Sequence, residues 1–82
     1  MIEKELRELI EPNLKLHLLK EDWKYIDYML EECYLLQEGD MPIVVIRPKI
    51  PNTITMKFYA INGGFAGTYI DWDRLENEGI LL

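Results

Sequence analysis

Serine is absent from this 82-residue chain, and cysteine and histidine occur once each, as Cys33 and His17. Without serine there is no hydroxyl nucleophile of the serine type, and no nucleophile motif surrounds His17 that would make it a general base. A single cysteine forms no internal disulfide and supplies no multi-cysteine zinc site, a pattern that fits a reducing cytoplasmic setting. The opening Met1-Ile2-Glu3-Lys4-Glu5 lacks the basic start and apolar run of a signal peptide, and no apolar stretch approaches the roughly 20 residues of a membrane span. Cofactor fingerprints are missing too. Asn62-Gly63-Gly64 lacks the Lys-Ser/Thr of a phosphate loop, and Leu75 sits where a calcium loop containing Asp71, Asp73 and Asn77 would need a ligand. The expectation is a non-enzymatic protein with no cofactor and no metal.

Apolar residues make up 49% of the chain and charged residues 29%, which is enough apolar surface for one core over residues 1–82 and too little length for a second. The net charge of −6 is unevenly spread. Residues 21–40 hold seven acids against Lys24 alone, and residues 71–82 hold Asp71, Asp73, Glu76 and Glu78 against Arg74. Residues 41–70 contain no acid, only Arg47, Lys49 and Lys57.

Hydrophobic spacing predicts an α+β fold: two N-terminal helices, a three-stranded antiparallel meander and a short C-terminal helix. Ile2, Leu6, Leu9 and Ile10 share a helical face, and Pro12 is expected to end that helix. Residues 13–19 alternate like a strand, although a helical turn fits nearly as well. A second helix is expected over 21–37, with Gly39 at its end and Trp23, Ile26, Met29, Leu30 and Cys33 facing inward. The β-branched run Ile43-Val44-Val45-Ile46 predicts a central strand covered on both faces. Segments 53–61 and 65–70 form a hairpin around Asn62-Gly63-Gly64, and a three-residue loop would put Tyr59, Phe65 and Tyr69 on the face away from the core. Asp73 and Glu76 read as a capping box for the last helix, with Gly79 as its stop and Ile80 contacting Leu75.

On the expected second helix, Asp27, Glu31 and Glu38 form an acidic flank, with Tyr28, Glu32 and Leu35 on the side away from the core. With Asp73, Glu76 and Glu78 they are the candidate contacts for a basic protein partner. Acids spaced along a rigid helix attract such a partner and can imitate the charge of nucleic acid, the logic of small inhibitors of DNA-binding proteins. Two other readings use residues 41–70. Arg47, Lys49 and Lys57 with Tyr59, Phe65 and Tyr69 form a weak single-stranded nucleic-acid surface. Alternatively Tyr59, Phe65 and Tyr69 cover one another across a homodimer.

Overall fold

A computed structural model describes residues 2–82. The first helix, α1, runs Lys4–Leu16 and buries Ile10 and Leu14. Pro12 does not end it. Proline removes one helical N–H, the donor to the Glu8 carbonyl, and both residues lie on the solvent side, where water replaces the missing bond. One residue on, the Asn13 side-chain amide donates to the Leu9 carbonyl at 3.1 Å. Residues 13–16 are thus helix, not strand.

The second helical region is shorter than expected. A 3₁₀ segment, Lys20–Tyr25, leads into α2, Ile26–Glu31, which buries Ile26, Met29 and Leu30. At Glu32 the backbone leaves the helix (φ −124°, ψ 87°), and Cys33–Glu38 forms strand β1. Gly39 (φ +60°) is therefore half of a two-residue hairpin turn with Asp40, not a helix terminus. The next strand is β2, Met41–Ile46, followed by β3, Met56–Tyr59, and β4, Phe65–Gly67. Helix α3, Trp72–Glu78, and strand β5, Ile80–Leu81, complete the described chain.

The result is a five-stranded antiparallel sheet in the order β4-β3-β2-β1-β5, in place of a three-stranded meander. Both faces are covered. Cys33, Val44, Ile46, Met56 and Phe58 meet Ile2, Ile10, Leu14 and the apolar side chains of α2. On the reverse face, Leu36, Ile43 and Val45 pack with Ile70 and Leu75. Central β2 is completely buried from Ile43 to Ile46, as its β-branched run predicts.

The β3–β4 hairpin exists, but its register and length differ from expectation. Tyr59 N–H donates to the Gly64 carbonyl at 2.7 Å, and Phe58 pairs with Phe65, so residues 60–64 make the connection and both rings point to the α1 face. Phe65 stacks on His17 with ring centroids 4.0 Å apart and meets Phe58 edge-on at 5.7 Å. Gly63 (φ +73°) rests directly on α1, since a Cβ there would lie 2.1 Å from the Leu9 carbonyl oxygen. Near the C-terminus, Asp71 caps α3 in place of Asp73, its carboxylate accepting from Arg74 N–H at 3.1 Å. Gly79 ends α3 as expected, its N–H donating to the Leu75 carbonyl at 2.9 Å. Ile80, however, enters β5 and is 63% exposed instead of folding back on Leu75.

Candidate protein-binding surface

Ending α2 at Glu31 breaks up the acidic flank. Asp27, Tyr28 and Glu31 line a groove of ≈ 650 Å³ between α1 and α2, and Glu32 follows at the C-cap of α2. Their charge is largely answered within the molecule. Arg7 on α1 donates to Asp27, which raises the guanidinium pKa above its ordinary value. Lys49 lies 3.2 Å from the Glu32 carboxylate and 4.7 Å from the centre of the half-exposed Tyr28 ring. Only Glu31 of this group forms no ion pair among the described residues.

The other two expected contacts of this flank fall elsewhere. Leu35 points inward from β1 and packs against the α1-side core. Glu38, at the far end of β1, holds the ammonium of Lys57, its two oxygens 3.1 and 3.4 Å away. Lys57 is itself only 8% exposed, so its ammonium is partly desolvated and Glu38 supplies its charged partner.

The basic and aromatic residues of 41–70 are also separated. Lys57 and Lys49 are engaged as described, and Arg47 stacks over Trp72 at 4.6 Å. Tyr59 packs with the α3-side core while Phe65 faces α1, and Tyr69, beyond the end of β4, is 78% exposed. The three aromatics expected on one self-association face therefore do not share one. His17 is exposed at the end of α1, and Cys33 is fully buried on β1, where loss of solvation pushes its thiol pKa up.

A different surface forms at the β5 side of the sheet. Asp73, Glu76 and Glu78 are exposed on α3, which joins β5 through Gly79 alone. Glu78 pairs with Arg74 at 2.7 Å, whereas Asp73 and Glu76 form no ion pair among the described residues. On the opposite face of the sheet, Glu3 and Glu5 stand at the rim of a groove of ≈ 430 Å³ floored by Leu6, Leu9, Leu35, Pro42, Ala60 and Leu82. They too are exposed and without an ion-pair partner among the described residues. No basic side chain lines this groove.

Glu3, Glu5 and the groove residues escape sequence reasoning because they come from five separated segments. The one local signal is the unpatterned apolar run Ile80-Leu81-Leu82 directly after a helix stop. No helix among the described residues is long and apolar enough to cross a membrane. No protein-family model, curated protein or solved structure was found to match this chain.

Proposed function

We propose that this chain is a non-enzymatic protein-binding module that engages a basic partner at the β5 side of its sheet. The observation that carries this reading is the division of its acids. Asp27, Glu32 and Glu38 are neutralised by the molecule's own Arg7, Lys49 and Lys57. Of the acids that form no ion pair among the described residues, Glu3, Glu5, Asp73 and Glu76 are exposed on either side of one sheet edge. Unpaired charge of one sign on both faces of one sheet edge steers an oppositely charged surface toward that edge and disfavours acidic competitors. The same arrangement fits occupation of a site built for nucleic acid, because rigid elements carry the carboxylates.

The test compares tagged native protein with the variant Glu3→Gln, Glu5→Gln, Asp73→Asn, Glu76→Gln, each used to capture proteins from nuclease-treated lysate at low and high salt. The native protein should retain proteins with basic surfaces that salt releases, and added DNA should displace those that bind nucleic acid. The variant should retain less than a tenth as much. Equal capture by the two proteins would refute the reading.

A further inference from the structure

We infer that the basic partner docks as an additional β-strand beside β5, using an extended segment in which apolar and basic side chains alternate. This rests on the proposed binding of a basic protein and adds its mode of contact. Leu82 N–H donates to the Cys33 carbonyl at 2.9 Å, and Leu81 lies opposite Tyr34. In an antiparallel ladder, successive residues turn their N–H and C=O alternately toward and away from the neighbouring strand, so those of Leu81 face outward. No backbone group among the described residues is bonded to that outward pair, which can therefore join an added strand.

Side chains follow the same alternation. Ile80 lies opposite Leu35 and so takes the α1 face with Leu82, while Leu81, opposite Tyr34, takes the α3 face. Ile80 and Leu81 are 63% and 57% exposed, giving an added strand apolar surface on both faces. A segment aligned with β5 therefore sends every second side chain toward the leucine-floored groove. The residues between them point toward α3, where Asp73 and Glu76 favour Lys or Arg. Glu3 and Glu5 at the groove rim favour a further base where the segment leaves the sheet.

A second copy of this chain fits this edge poorly. Two-fold pairing of β5 with itself would bring each copy's unpaired acids toward the other's, and facing like charges are destabilising. The opposite edge is closed to an added strand. There the pairing of β4 is interrupted by an irregularity between Lys57 and Phe58, and Gly67 has φ +126°, both of which spoil the regular ladder an added strand needs.

The probe is a capped eight-residue peptide of alternating valine and lysine, titrated into the ¹⁵N-labelled full chain and followed by amide shifts. Shifts should concentrate on Tyr34 and Ile80–Leu82 and spare Phe65. Leu81→Pro removes the outward N–H without breaking an internal bond, so it should keep the native amide pattern and weaken the peptide at least tenfold, while Leu81→Val keeps full affinity. A matching valine–glutamate peptide should not bind. Absence of binding, shifts centred on α2, or equal affinity for native protein and Leu81→Pro would each overturn the strand-addition mode. The basic-partner reading stands or falls separately, by the acid-substituted variant in the lysate capture.

Discussion

The two edges of the sheet are held in opposite ways. At the β4 edge, the connecting loop lies on α1 through Gly63, and Phe65 is fixed between His17 and Phe58. At the β5 edge, two residues are paired with β1, and most of their side-chain surface remains exposed. The irregular edge is tied to α1 through its loop, whereas at the β5 edge only Leu82 packs against the core. Irregularity at an edge discourages unwanted pairing, so an edge without a register shift and with exposed apolar side chains is the one to examine for a partner.

The contrast is broken most severely by Phe58→Ala. Phe58 is completely buried and supports Phe65, so this change should cost about 3–5 kcal/mol in denaturant unfolding. Gly63→Ala should cost about 3 kcal/mol, because a Cβ would collide with the α1 backbone and the positive φ is itself unfavourable; a loss below about 1 kcal/mol would mean the loop is not anchored there. Native-state hydrogen exchange should find the Leu82 amide opening at least about 2 kcal/mol more easily than the amides of buried β2, and equal protection would abolish the distinction between the edges.

Cys33, on the strand just inside β5, provides a pH test. Burial raises its folded pKa, so the unfolded chain loses the thiol proton first as pH rises. Its contribution is complete below the unfolded pKa of about 8.5 and is lost as pH climbs toward the folded value. Above about pH 8.5 the native protein should lose stability with rising pH more steeply than Cys33→Ala; parallel curves would contradict the shift. The smallest expected effect is that of Leu81→Pro on folding, below about 0.5 kcal/mol by thermal or denaturant unfolding, since proline is tolerated on an outward-facing edge position.

Much of this contrast was hidden in the sequence for physical reasons. Ile43–Ile46 was legible because β-branched residues in an unbroken run fit a strand buried on both faces, and the inward side chains of α2 and the α3 stop at Gly79 were legible too. Cys33–Glu38 also sends side chains into both cores, though only Cys33 and Leu36 are buried; its leucines, Gln37 and Glu38 suit a helix as well, and apolar residues on both faces blur the period-two pattern that would mark a strand. Gly39 did not separate the two, because a helix stop and a tight hairpin turn both accept positive φ. Pro12 misled because the cost of its missing N–H depends on solvent at Glu8, which no local pattern encodes. Of the candidate contacts, Asp73 and Glu76 lie on the open surface as anticipated, whereas Leu35 and Glu38 were misplaced with the strand that carries them.

The burial of Cys33 also makes the protein convenient for spectroscopy. Its sulfur lies on a residue with no accessible surface and its thiol resists ionisation, so thiol-directed dyes and spin labels should leave it untouched in the folded state. A cysteine introduced at the exposed Asp40 of the β1–β2 turn, or at Tyr69, would then be the single reactive handle, with the native core left unaltered. Distances from such a label to a labelled partner would locate the partner on the molecule directly.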